Sequence, residues 1–159
     1  SPALEGFAAA GEMGLPDTVG EDINELAMLC RKVNDAGLLE RIGCDPIGLG
    51  AILDRLEEQQ IPSEKIVAVS QGWKLSGAIK TTERWLSEGT FHPARQGLMN
   101  WCVGNARSDP KGNSTVITKQ ASGSGKIDPV MAMFNAATLM ALNPKPQVNK
   151  YQIYILGKS

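Results

Sequence analysis

The sequence predicts an α/β domain, a mixed sheet flanked by helices, and three observations carry that expectation. Short runs rich in apolar and β-branched residues (38–44, 65–69, 115–119) alternate with stretches whose apolar residues recur at helical spacing. Gly, Pro and Asp cluster at the joints between them. The chain has 159 residues, 42% of them hydrophobic, which suits one domain with a sizeable core. Strand and helix in alternation imply βαβ units, a parallel component to the sheet, and helices over both of its faces.

The elements follow in order. Residues 1–17 are rich in Gly, Ala and Pro and carry no initiator Met, so they read as a loose lead-in cut from something longer. The domain proper is expected over 18–143, with a C-terminal tail over 144–159. Thr18 and Glu21 have capping-box spacing, and Ile23, Leu26, Ala27, Cys30 and Val33 follow on one helical face that Gly37 closes. LLERIGC, 38–44, predicts a strand ending at Asp45-Pro46, after which Leu49, Ile52, Leu53 and Leu56 repeat as a helix face. KIVAV, 65–69, predicts a second buried strand, then a helix with Leu75, Ala78, Ile79 and Leu86 inward that ends near Gly89.

Pro93 is placed to open a helix through Leu98, Trp101 and Cys102. Asp109-Pro110-Lys111-Gly112-Asn113 is a turn signal before the strand 115–119, so a hairpin is expected. A Gly/Ser loop, 121–125, leads to Pro129 and a helix over 130–142 that is apolar on nearly every side and should be buried. Asn143-Pro144-Lys145-Pro146 breaks that helix. The run YQIYIL, 151–156, reads as a final strand or as a tail pairing with a sheet edge in this or another copy.

Charge and cysteine usage exclude several function classes. Lys and Arg number 16 against 17 Asp and Glu, a formal charge of -1, so no global basic coat holds nucleic acid and any polyanion contact is a local patch. Cys30, Cys44 and Cys102 are widely spaced and odd in number, which suits a reducing compartment better than a disulfide scaffold. With His92 the only histidine and no CxxC pair, the sequence does not point to a structural zinc site. No stretch approaches the roughly 20 apolar residues of a membrane span, so the chain reads as soluble and intracellular, with no membrane partner.

Few residues offer chemistry. Gly123-Ser124-Gly125-Lys126 lacks the upstream Gly and the following Ser or Thr of a phosphate-binding loop, since Gln120 and Ile127 stand there. There is no Gly-x-Ser-x-Gly elbow. Two Asp-Pro pairs remain, Asp45-Pro46 after a strand and Asp128-Pro129 after the Gly/Ser loop. Each has two readings. Asp is a preferred N-cap and Pro a preferred first helical residue, so both pairs can simply start helices. A carboxylate at the carboxyl end of a strand in an open α/β sheet also stands where ligands bind, and two of them can share divalent metals for phosphodiester hydrolysis. Lys119 and Lys126 flank the loop, either solvating it or meeting phosphate oxygens. Trp73, Trp85 and Trp101 are expected in the core, Met131, Met133 and Met140 on a buried helix, and His92 in a local hydrogen bond rather than in catalysis.

Whole phrases in order carry a family resemblance: Ile42-Gly43-Cys44-Asp45-Pro46, Gln71-Gly72-Trp73-Lys74-Leu75-Ser76, Gly89-Thr90-Phe91-His92-Pro93, Trp101-Cys102-Val103-Gly104-Asn105, Ile117-Thr118-Lys119-Gln120 and Lys126-Ile127-Asp128-Pro129. From about Glu21 to Pro144 the chain resembles the carboxyl-terminal nuclease domain of the tailed-phage and prophage terminase large subunit. The resemblance implies a ribonuclease H-like fold and a DNA endonuclease that cuts concatemeric viral DNA during packaging, with acidic residues holding two Mg²⁺ or Mn²⁺ ions. Asp45 matches the second acidic ligand and Asp128 the last one. Lys119 matches a basic position before it, and His92 and Asn105 match positions of structural support. Double-stranded viral DNA, a terminase small subunit, a portal protein and an upstream ATPase domain are the implied partners, in the cytoplasm of a bacterial host. The family's first metal-binding Asp lies on an opening strand that has no counterpart here. The chain is therefore expected to be a fragment lacking the first strands of its sheet and one ligand, with its activity alone in doubt and homo-oligomers through exposed sheet edges an open outcome. The alternative is a non-catalytic docking module or inactive prophage remnant whose two Asp residues cap helices.

Overall fold

Two short parallel strands, β1 (Ile42–Cys44) and β2 (Ile66–Ala68), form the centre of the computed structural model, which describes residues 2–120 and 125–145. Helix α3 (Leu49–Glu58) crosses between them, and the strands pair in the register Ile42↔Ile66, Gly43↔Val67, Cys44↔Ala68. Because side chains alternate along a strand, the pair feeds two cores. Ile42 and Ile66 pack with Ala27 and Cys30 of α2 (Glu21–Asp35), with Ile52 and Leu56 of α3, and with Ile61. Val67 and Val69 pack on the other face with Leu75, Cys102, and Val130 and Phe134 of α6 (Asp128–Met140). The mixed α/β class, the parallel component and the helices on both faces of this pair are all present.

The strands are shorter than the runs that predicted them. Residues 38–41 lie outside β1, where the Lys65 ammonium donates to the Leu39 carbonyl at 2.6 Å and to Asn34 Oδ1 at 2.9 Å. The hairpin forms as β3 (Ala106–Lys111) and β4 (Ser114–Lys119), antiparallel from Ala106↔Lys119 to Lys111↔Ser114. Its turn is only Gly112-Asn113, with Gly112 at φ 59° as the first position of a type II′ turn needs. Pro110 sits within β3 opposite Thr115, which an edge strand tolerates. Among the described residues the hairpin is a second sheet, not part of one mixed sheet. It attaches through a side chain instead: the Thr115 N–H donates to Ser76 Oγ at 3.0 Å, at the start of α4 (Ser76–Ser87).

The lead-in is not loose. Residues 2–9 form helix α1 (Pro2–Ala9), whose Phe7 ring lies 5.7 Å from that of Trp101. The Glu12 carboxylate then accepts the Gly97 and Leu98 N–H groups at 3.0 and 2.6 Å, where α5 (Gly97–Asn105) begins. A carboxylate meeting orphan N–H groups at a helix start fixes that start. Helix α5 consequently opens at Gly97, four residues later than Pro93 suggests.

Other expectations need correction. Thr18 and Glu21 make half a capping box: the Glu21 carboxylate accepts from the Thr18 N–H and hydroxyl, while the N-cap itself is Gly20. Leu26 lies off the buried face of α2. Leu86 is 53% exposed because it lines an open groove with Phe91, Met99, Val103 and Met133. Thr82 takes a buried place on α4, its hydroxyl donating to the Ala78 carbonyl at 2.8 Å. Trp73 is 62% exposed, with the Lys74 ammonium 5.8 Å over its ring. His92 is exposed and makes no hydrogen bond among the described residues. Helix α6 buries one side only and ends at Met140, which is exposed, as is Leu142 beyond it. The Gly/Ser residues 121–124 and the tail 146–159, with YQIYIL, lie outside the described residues.

Candidate active site

Asp45 follows β1 directly. Its Oδ1 accepts the Ile47 N–H at 2.9 Å and its carbonyl accepts the Gly48 N–H at 3.2 Å, so it folds a tight turn. Helix α3 starts later, at Leu49, with Gly48 as N-cap and no side-chain cap. Asp128 is the first residue of α6, after the N-cap Ile127, whose carbonyl accepts the Val130 and Met131 N–H groups. The Asp128 carboxylate makes no capping bond and no ion pair among the described residues. Both carboxylates are exposed. Neither Asp is a side-chain N-cap, although the Asp45 carboxylate still has a structural role in the turn that leads to α3.

The run of α6 determines how the two acids relate. Gly43 faces the second half of α6, where a Cβ on it would lie 3.1 Å from Leu139 Cδ1 and 3.3 Å from the Asn135 carbonyl oxygen. Residues 38–41, which lead into β1, line a cleft with Ala136, Leu139, Met140 and Leu142. Helix α6 therefore runs opposite to β1, and its first residue points toward the end at which β1 and β2 finish. Asp45 and Asp128 stand at that same end. Gln71, just beyond β2, supports the crossing: its Nε2 donates to the buried Asn135 Oδ1 at 2.9 Å and to the Val69 carbonyl at 2.8 Å.

Lys119 and Lys126 are both exposed, and their backbones are held by one residue. The Gln120 N–H donates to the Asn105 carbonyl at 2.9 Å, and Asn105 Nδ2 donates to the Lys126 carbonyl at 3.2 Å. The exit from β4 and the approach to α6 are thus tied to the last residue of α5. On the same helix, burial pushes the Cys102 thiol up from its ordinary value, and the Asp128 charge pushes it further the same way. Burial also raises Cys30 and Cys44, so all three thiols stay protonated at neutral pH, and none is in a disulfide among the described residues.

The donor chemistry suits a hard cation, because carboxylate oxygen is what Mg²⁺ and Mn²⁺ take. The number of donors does not. Among the described residues no three His, Cys, Asp or Glu side chains converge into a metal site. Asp45 and Asp128 alone do not make the two-metal centre that the family resemblance implies.

Two contacts had no local signal in the sequence: the cap that Glu12 provides for a helix far along the chain, and the grip of Asn105 on both ends of a loop. The Gln71–Asn135 pair did leave a trace, since Asn135 is a lone amide within an apolar helix. Residues 31–143 match the family model described as terminase large subunit, endonuclease domain. No curated protein and no solved structure matches the chain.

Proposed function

The chain belongs to the terminase large subunit endonuclease-domain family, and from that premise we propose that Asp45 and Asp128 are acids of its hydrolytic centre and that Lys119 and Lys126 contact DNA phosphates. The family gives the chain a nuclease role in DNA packaging. One observation carries the finer reading: two Asp residues distant in the sequence come to one end of the parallel pair, exposed and serving no cap.

In this reading the acids and the lysines have separate tasks. The two lysines can take phosphate oxygens, and in a chain with no net positive charge they supply the local patch that DNA requires. Bare carboxylates repel a phosphodiester, so Mg²⁺ or Mn²⁺ is the group that would let acids act on it, in the manner of two-metal nucleases. Two carboxylates fall short of holding it. The reading therefore requires a further ligand from beyond the described residues, consistent with a ribonuclease H-like sheet whose first strands lie upstream. Double-stranded viral DNA is the substrate in this reading. The ATPase domain, small subunit and portal protein are its partners, in the host cytoplasm.

The test is DNA nicking by the intact protein with Asp45→Asn and Asp128→Asn. Loss of cleavage is expected in both, with any stability change no larger than the roughly 1 kcal/mol of a lost cap. Wild-type cleavage by both variants overturns the assignment. It would favour the second reading, a non-catalytic docking module.

A further inference from the structure

We propose that Asn105 is a positioning residue, which sets Lys119, Lys126 and Asp128 against a single stretch of DNA backbone by holding the ends of β4 and α6 together. The inference rests on the nuclease reading and adds to it a residue that touches neither phosphate nor the reacting atoms.

Asn105 ends α5, so its carbonyl has no further helical turn to bond and is free to accept the Gln120 N–H at 2.9 Å. Its side chain turns the other way and donates to the Lys126 carbonyl at 3.2 Å. The Gln120 amide reinforces the clamp by donating to the Gly104 carbonyl at 2.8 Å. One residue thereby fixes the backbone next to Lys119 and the backbone of Lys126, two positions before Asp128. Without it, the Ala106↔Lys119 pairing and the Gln120–Gly104 bond still hold the end of β4, but the tie from there to Lys126 is lost.

Space at the clamp is as specific as its hydrogen bonds. A Cβ on Gly125 would stand 2.7 Å from Asn105 Cγ and 2.8 Å from Oδ1, closer than real Cβ atoms approach, and 3.1 Å from Cβ, a tight contact. Glycine at 125 is what lets the Asn105 amide reach the next carbonyl. The Gly-Lys pair, which falls short of a phosphate-binding loop in the sequence, has a structural use instead: Gly125 makes room for the clamp, and Lys126 is what the clamp holds. Both ties are independent of any metal, so the clamp can be tested without one.

The test is a set of double-mutant cycles in the intact protein, read as duplex DNA affinity, plasmid nicking and melting temperature. Asn105→Ala and Gly125→Ala should each lower DNA affinity and nicking at least tenfold while the melting temperature moves by only a few degrees. Combined, they should be little worse than Asn105→Ala alone, because the two closest clashes, with Cγ and Oδ1, are then gone and only the contact with the residue-105 Cβ remains. Lys126→Ala should cost less in the Asn105→Ala background than in the wild type, a coupling that a purely structural role would not produce. Should Asn105→Ala fail to fold, Asn105→Asp, which keeps the volume and loses the Nδ2 donor, carries the same expectation. Wild-type affinity and nicking, or full additivity with Lys126→Ala, overturns the inference. Asp128→Asn separates the two failures: if it abolishes nicking while Asn105→Ala does not, the clamp falls and the nuclease reading stands, and if it nicks as wild type, both fall.

Discussion

Gln60 and Gly43 show how single residues bear on this fold. Helix α3 ends with Gln60 at φ 57°, its N–H on the Glu57 carbonyl and the Ile61 N–H on that of Leu56. This is a Schellman ending in which the left-handed position holds a side chain where glycine costs least. Gln60→Gly should therefore stabilise the chain by about 1 kcal/mol in denaturant melts, less a weak exposed bond from Arg31. No change, or a loss, would show that the left-handed strain is already relieved. Gly43 is the opposite case. A methyl there meets Leu139, Val69 and the backbone of Asn135, so Gly43→Ala should destabilise by about 1–3 kcal/mol through overpacking. Asp109 gives a pH dependence. The Thr118 hydroxyl, which donates to it at 2.6 Å, holds its carboxyl below the ordinary value against slight desolvation, and the charges of Arg107 and Lys111 add to the effect. A depressed folded value means that Asp109 contributes stability above its unfolded value and loses it as pH falls through the folded one. Thr118→Val should raise the Asp109 titration midpoint seen by NMR and weaken that acid limb.

At the scale of elements, local patterns were legible and remote partners were not. Gly37 and Gly89 close α2 and α4 as the sequence suggests, each in the left-handed conformation at φ 70° and 68°. The βαβ unit and hairpin were visible because β-branched runs and turn residues act within a few positions. The start of α5 was misplaced because its determinant, Glu12, belongs to a segment that looked unstructured. A bidentate acceptor at a helix start is worth on the order of 1 kcal/mol, so Glu12→Ala should cost about that much and speed hydrogen exchange in the first turn of α5. An unchanged exchange rate there would mean that the α1 contact through Phe7 and Trp101 sets the helix start instead. Asp45 and Asp128 were found in the sequence, but their roles there were ambiguous between cap and ligand. Only the structure shows that the helices begin without their side chains.

For the molecule as a whole, the edge of β1 away from β2 is the telling feature. Cys44 directs its carbonyl at the Val69 N–H, 2.8 Å away, so by the alternation of a strand the polar groups of Gly43 face the opposite edge. Among the described residues no strand pairs there. Leu39, Arg41 and Gly43 line a cleft with Leu139 of α6. The same end of the molecule carries two acids and too few donors to hold a metal alone. In the proposed reading, a strand added at this edge would bring the further ligand that Asp45 and Asp128 need. The most direct measurement is a crystal of the intact protein soaked in Mn²⁺ and read for anomalous density. Density coordinated by both Asp45 and Asp128, with a third ligand from outside the residues described here, is the expected result. Density elsewhere, with the two carboxylates left bare, would contradict the assignment of these acids to one catalytic centre.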